Sequence, residues 1–175
     1  MTIYSVVAII ENKEIVMSKF PENSEMRTSK DFCNRIKELI EENDCASNKD
    51  FAKLVGVSFP VISKAVNFGI IPSTKMLIKI ADSLDISLLY LLGNSSENDF
   101  IGSNSPSDFY NRVEELAKER NEKYGEIASK LTFSRTYFYA WKKTNTLPSV
   151  EYAKVIADYF NVSLDYLFGR SDYRK

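Results

Sequence analysis

The stretch FNVSLDYLFGRSD runs from Phe160 to Asp172, and LDISLLYLLGNSS runs from Leu84 to Ser96. One phrase is thus written nearly twice, 76 residues apart. At that shift the chain matches itself without a gap from about residue 50 to residue 95. Identical pairs include Ala52/Ala128, Ser58/Ser134, Pro72/Pro148, Ser73/Ser149 and Ile80/Ile156. They continue through Ala81/Ala157, Asp82/Asp158, Ser87/Ser163, Leu88/Leu164, Tyr90/Tyr166, Leu91/Leu167 and Gly93/Gly169. Upstream the shift becomes 77: Asp31-Phe32 meets Asp108-Phe109, and Asn34-Arg35 meets Asn111-Arg112. One residue is therefore inserted between the first two elements of repeat one, and insertions fall in loops. Each unit spans roughly 65 residues, a small domain rather than a solenoid repeat. Between them NSSENDFIGSNSPS, residues 94–107, reads as an Asn/Ser-rich linker. The predicted organisation is an N-terminal segment over 1–28, a first domain over 29–95, a linker over 96–106 and a second domain over 107–175.

Apolar residues recur at helical spacing in both units. The first helix carries Phe32, Ile36, Leu39 and Ile40, matched by Phe109, Val113 and Leu116. A short second helix follows Ser47-Asn48-Lys49-Asp50, which has the pattern of a capping box. Repeat two has Lys123-Tyr124-Gly125-Glu126 there, lacks the cap residue, and should start its helix less firmly. Gly56 permits a tight turn, with Thr132 as its weaker counterpart. Ser58 and Ser134 are natural N-caps for a third helix. Pro72-Ser73 and Pro148-Ser149 break the chain and cap a fourth. That helix should bury Leu77, Ile80, Ala81 and Leu84 in one copy, and Ala153, Ile156, Ala157 and Phe160 in the other. The opening phrase then reads as a Ser cap, one apolar helical turn, and Gly93 or Gly169 as the stop.

Composition narrows the chemistry. The 175 residues contain no histidine and two cysteines. That removes His-based zinc sites, Ser-His and Cys-His nucleophilic systems, and the commonest general base. Cys33 and Cys45 make no disulfide framework. The six glycines form no phosphate-cradling loop. Glu41-Glu42 and Glu114-Glu115 lie on stretches that read as solvated helix faces. Ile3–Ile10 is too short to span a bilayer and lacks the basic flank of a signal peptide, so a cytoplasmic protein is expected. No enzyme activity, cofactor or metal is expected. The net charge of −1 counts mildly against a nucleic-acid binder, but local charge matters more.

The matched pattern resembles the phage repressor and Cro type of helix-turn-helix domain, the XRE family. The resemblance rests on A-x-x-x-G-V-S at Ala52–Ser58 and A-x-x-x-T-F-S at Ala128–Ser134. It rests also on Ile62 and Ala65, matched by Phe138 and Trp141, at the buried positions of the recognition helix. The longest matching stretch is PSVEYAKVIADYFNVSLDYLFGRSD, residues 148–172. The resemblance covers roughly residues 30–95 and 107–173 and implies an all-α fold: two tandem five-helix, lambda-repressor-like domains, preceded by a short β-hairpin or a tail. It implies a sequence-specific, double-stranded-DNA-binding transcriptional regulator, a repressor of bacterial or phage origin, whose third helix enters the major groove.

Carried over by position, the outward face of copy one is Ser58, Phe59, Pro60, Ser63, Lys64 and Asn67. In copy two it is Ser134, Arg135, Thr136, Tyr139, Ala140 and Lys143, with Lys142 beside it. Asn48 and Lys49, or Tyr124 and Gly125, would meet the phosphate backbone at the start of helix two. The copies are not equal. Arg135 can donate two parallel bonds to guanine, and Lys142 and Lys143 can neutralise phosphates. Copy one offers Phe59, which could pack on a thymine methyl, and Pro60, which donates nothing. Residues 30–95 hold eight basic and eight acidic groups, and residues 107–175 hold twelve and ten. Copy two is therefore expected to carry more of the DNA affinity, with copy one an alternative dimerisation or packing domain.

Further expectations come from departures. An Arg–Glu pair between helices one and three is common in the family; the positions here are Ile40/Val66 and Ala117/Lys142, so it should be missing from both copies. Phe68-Gly69-Ile70-Ile71 is apolar for a loop and should be buried, within the chain, in a homodimer, or against a regulatory partner. Residues 3–10 and 14–17 around Asn12-Lys13 read as a β-hairpin, or as a tail if translation starts at Met17 or Met26. As a flexible coil the linker would span on the order of 20 Å, and up to ~40 Å extended. Half-sites one turn apart lie ~34 Å apart, so one chain could reach both only near full stretch. The competing function is a protein-interaction module on the same fold, antitoxin-like or regulator-docking.

Overall fold

A computed structural model of the chain describes residues 27–131, 134 and 136–175. The predicted N-terminal hairpin, Met17 and Met26, the Thr132 turn residue, Phe133 of the A-x-x-x-T-F-S stretch and Arg135 lie outside the described residues. Among those described, the elements are α-helices with a single isolated antiparallel bridge, Thr28 to Ile70. The order is α1 (Lys30–Glu42), α2 (Asn48–Leu54), α3 (Phe59–Phe68), α4 (Thr74–Leu84) and α5 (Leu88–Leu91). There follow α6 (Phe109–Glu119), α7 (Tyr124–Lys130), α8 (Thr136–Thr144), α9 (Val150–Phe160) and α10 (Leu164–Leu167).

The second five helices repeat the first in order and nearly in length, and the backbone repeats with them. Left-handed residues recur at Asp44 and Asn121, Gly69 and Asn145, Asp85 and Asn161, and Gly93 and Gly169. Asn, Asp and Gly are the residues that tolerate this conformation, so the repeat is one of backbone punctuation as well as of core. The single insertion falls in the α1–α2 loop, as expected.

Caps fix the helix starts. Ser29 Oγ accepts from the Phe32 amide at 3.2 Å, and Asp108 accepts from the Asn111 amide at 2.9 Å. Ser87 and Ser163 cap α5 and α10 as predicted, accepting from Tyr90 and Tyr166 at 3.1 and 3.0 Å. The Ser47 box is altered: Ser47 Oγ accepts from the Asp50 amide, but the Asp50 carboxylate accepts from the Ser47 hydroxyl and not from its amide. At α7 the missing cap is offset by Glu126, whose carboxylate accepts from the Lys123 amide at 2.8 Å. Ser58, Ser73 and Ser149 occupy N-cap positions without a side-chain cap bond, contrary to expectation. Ser134 Oγ meets Thr136, at 2.7 Å to its hydroxyl and 3.4 Å to its amide.

The predicted core is buried, except that Ile40, Leu84 and Trp141 are only partly so. In each unit an arginine of the first helix locks the last. Arg35 lies 3.9 Å from the Tyr90 ring centre and donates to the Ser95 carbonyl. Arg112 lies 4.5 Å from the Tyr166 ring centre and donates to Asp172. Gly93 and Gly169 then sit against the start of α1 and the residues just before α6, where a Cβ would meet the Asp31 and Ser107 carbonyl oxygens at 2.7 and 2.3 Å.

The apolar loop is only partly covered. Residues 27–29 run antiparallel to it: the Ile71 amide donates to the Arg27 carbonyl, and the Ser29 amide to the Gly69 carbonyl, both at 2.8 Å. Ile70 and Ile71 are half-buried, but Phe68 is 67% exposed, so its expected burial within the chain is not found.

The two sets of helices meet at α5 and α10 and share one apolar core. The Arg170 guanidinium, buried there, donates to Asp82 at 2.6 Å, to the Ile86 carbonyl at 2.9 Å, and to Asp165. Asp165 also accepts from the Leu88 amide at the start of α5. Burial pushes the Asp165 carboxyl up, against the opposing pull of Arg170 and the Leu88 amide. Thr74 Oγ1 donates to the Pro148 carbonyl at 2.7 Å in the same interface. The predicted free linker is instead tied to this seam. Asn98 accepts from the Ser87 amide, Phe100 lies under Arg170 at 4.3 Å, and the Ser103 amide donates to the Arg170 carbonyl. A dozen polar residues with partners at both ends lose the freedom a coil estimate assumes.

Candidate nucleic-acid interface

Helices α2 and α3 pack on each other, with α3 also against α1, and Gly56 at φ 66° makes the turn between α2 and α3. Ile62 and Ala65 turn inward, at 0% and 1% exposure. The opposite side of α3 is thereby left to solvent. Ser58, Phe59, Pro60, Lys64 and Asn67 are exposed there and Ser63 is half-buried, its hydroxyl accepting from the Asn67 amide nitrogen at 3.2 Å. Asn48 and Lys49 stand at the start of α2, half-buried and exposed respectively. The predicted copy-one residues are therefore brought together on the two elements that carry them.

In the second set, Phe138 is the inward anchor of α8 at 4% exposure. Ser134, Thr136, Tyr139, Ala140, Lys142 and Lys143 are all exposed. Arg135 lies outside the described residues. Tyr124 is turned inward: its ring stacks on Phe138 at 5.5 Å and its hydroxyl is buried with no hydrogen-bond partner among the described residues. Burial, then the nearby Glu114 and Tyr139, raise the Tyr124 phenol above its ordinary value, so it stays protonated. Lys142 is not free either. It lies 3.9 Å from Glu114, and 5.8 Å from the Tyr124 ring centre. An ion pair between helices one and three is thus present in the second set, with its signs reversed and its acid one turn earlier than the expected position at Ala117. The matching site in the first set is apolar, Ile40 and Val66 both packing on the core.

Lys49, Lys64 and Lys143 have no acidic partner among the described residues, so their charge is available to an anionic surface. No group of three or more acidic or cysteine side chains able to hold a metal occurs among the described residues, and no described helix is long and apolar enough to cross a membrane. The residues that sequence reasoning missed are those of the seam, Arg170, Asp165 and Asp82. Their signal was present: within the opening phrase, Leu89 and Asn94 stand where Asp165 and Arg170 stand in the second copy.

The α2–turn–α3 arrangement with an inward anchor and a solvent-exposed outward face is a helix-turn-helix. Residues 36–91 match the model of a helix-turn-helix family of the XRE type, which supports a DNA-binding regulator. The match ends within α5, and α6 to α10 lie outside it. No curated protein and no solved structure matches the chain.

Proposed function

We propose that the protein is a sequence-specific transcriptional regulator, a repressor, that inserts the third helix of one or both five-helix units into the DNA major groove. The observation that carries this reading is the outward face of α3, held on a matched helix-turn-helix by Ile62 and Ala65. The repeat extends it to α8, where exposed Tyr139, Thr136 and Lys143 occupy the equivalent face. The units are residues 29–95 and 107–175, joined over 96–106, and the setting is cytoplasmic. Arg135 is the proposed guanine reader, Lys49, Lys64 and Lys143 the phosphate contacts, and the partner is double-stranded DNA.

One observation favours a second reading. Leu54, Phe59 and Phe68 are exposed by 49–67% in the first unit, which suits docking of a protein on that unit. The test is selection of bound sequences from a random DNA pool, followed by salt titration of the winner. A regulator loses affinity steeply with salt. Lys143→Ala weakens all sequences alike and lowers the salt slope by about 1, while Arg135→Ala relaxes preference at one position by ~1–3 kcal/mol. A pool that yields no enriched sequence refutes the proposal and leaves protein docking.

A further inference from the structure

The contacts across the seam are reciprocal. Helix α5 meets α10, its own counterpart in the repeat. Thr74 at the start of α4 bonds Pro148, just before α9, the counterpart of α4. Arg170, after Gly169, reaches Asp82 on α4, and Asn94, after Gly93, receives Lys154 from α9. Like touching like, in both directions, is the signature of a two-fold relation, whereas a translational repeat would set unlike elements against each other.

The seam is also asymmetric in its chemistry. All its buried charge comes from the second unit, through Arg170 and Asp165. The first unit answers with the Asp82 carboxylate, the Ile86 carbonyl and the Leu88 amide. The counterparts Leu89 and Asn94 cannot make the same contacts. A buried guanidinium with three acceptors in fixed directions sets an angle as well as a distance, because each bond weakens as its geometry bends.

From these contacts we infer that a single chain is a covalent dyad: Arg170 and Asp165 clasp the two units so that α3 and α8 form a fixed pair, reading two unlike half-sites in inverted orientation on one duplex. Inversion follows from the two-fold, because a two-fold between readers that dock alike must coincide with a dyad of the DNA. Unlikeness follows from the faces, Pro60, Ser63 and Lys64 against Thr136, Tyr139 and Ala140. Arg170 and Asp165 are positioning residues; neither touches DNA. The inference rests on the DNA-binding reading, and its test separates the two.

The full chain is used to select duplexes from a random pool, and the stoichiometry is measured by mass photometry. The expected result is one chain on two dissimilar motifs, inverted, about one helical turn apart centre to centre. Inserting half a turn of DNA between the motifs should then cost ~100-fold in affinity, the scale of lost bivalency. Arg170→Ala should cut that penalty to a few-fold, with binding to each isolated half-site unchanged. Because Arg170→Ala strands Asp165, a second variant carries Asp165→Leu with Arg170→Asn. It restores the first unit's residues, leaves no buried charge, and should show the same tolerance with full helix content.

Direct repeats, two chains per duplex, or a penalty equal in wild type and both variants overturns the clasp. If no duplex is selected, the DNA reading falls and solution scattering still decides the clasp. The double variant should then show a larger radius of gyration at unchanged helicity, and an unchanged radius overturns it.

Discussion

Gly169→Ala should be among the most damaging single changes in the chain, although it adds one methyl group. Gly169 has φ 72°, where an L-residue pays about 1–2 kcal/mol. The added Cβ would lie 2.3 Å from the Ser107 carbonyl oxygen, 2.4 Å from its carbon and 2.9 Å from the Asp108 nitrogen. These are backbone atoms, so no rotamer relieves them. The segment leading into α6 must move away from α10, which loosens the Ser107 amide bond to the Gly169 carbonyl at 3.2 Å. Overpacking of this kind costs about 1–3 kcal/mol, and the stiffer unfolded chain returns ~0.4–1 kcal/mol. The net expectation is ~1–4.5 kcal/mol, or a fall in Tm of ~2–18 °C for a chain of this size. Gly93→Ala should follow closely, its Cβ meeting Asp31 atoms at 2.7 to 2.9 Å. Gly102→Ala is the control, since its nearest contact is the Phe100 ring at 3.9 Å, and it should stay within ~0.5 kcal/mol. Urea unfolding followed by far-UV circular dichroism measures all three. A loss below ~1 kcal/mol at Gly169, or one no larger than at Gly102, would refute the backbone argument.

Phe32 and Phe109 are equivalent and buried at 0% and 1% exposure, so either change to Ala should cost ~3–5 kcal/mol. Because the two units share one core, Phe109→Ala should shift one common transition, lowering hydrogen-exchange protection in α1 to α5 too; loss confined to α6–α10 would show the units to be independent. Burial raises the Glu122 carboxyl, but hydrogen bonds from Lys130 and Tyr159 outweigh it and hold it below the ordinary value. A depressed folded value contributes stability above the unfolded pKa, near ~4.3, and loses it as pH falls through the folded one. Glu122→Gln should therefore destabilise at neutral pH, with the gap to wild type closing on acidification below about pH 4, as read from urea midpoints. A gap that widens there contradicts the sign.

Much of the fold was legible because its signals are local. Helix α1 announces itself through Phe32, Ile36 and Leu39 at one spacing, and α5 through a serine, an apolar turn and a glycine. Where local signals allowed two partners, the reading went astray. A serine before a helix can cap it or not; at Ser58 the next-but-one residue, Pro60, has no amide to offer, and the Val61 amide goes to the Ser58 carbonyl. The pairing of Lys142 was hidden because Glu114, 28 residues away, is brought near only by packing. Tyr124 read as surface because its stacking partner, Phe138, lies on another helix. The linker looked free because its Asn and Ser residues are ordinary loop chemistry, and only the folded seam supplies their partners. The α3 face was legible for the opposite reason: Ile62 and Ala65 take the inward side, and the rest is left outward by helical period alone.

The differences between the copies are as informative as the repeat. Where the copies agree, at Ala52/Ala128, Ile80/Ile156 or Leu91/Leu167, the residue is buried in the apolar core, and either copy can bury it in the same way. At two positions where they disagree within the opening phrase, Leu89/Asp165 and Asn94/Arg170, the side chains of Asp165, Arg170 and Asn94 bond to the other unit. Across the seam Arg170 meets Asp82 and the Ile86 carbonyl, and within its own unit Asp165. The linker holds this pairing through its ties to Ser87 and to Arg170. On the proposed clasp, divergence at the seam commits the two units to each other, and the half-sites they would read need not be alike.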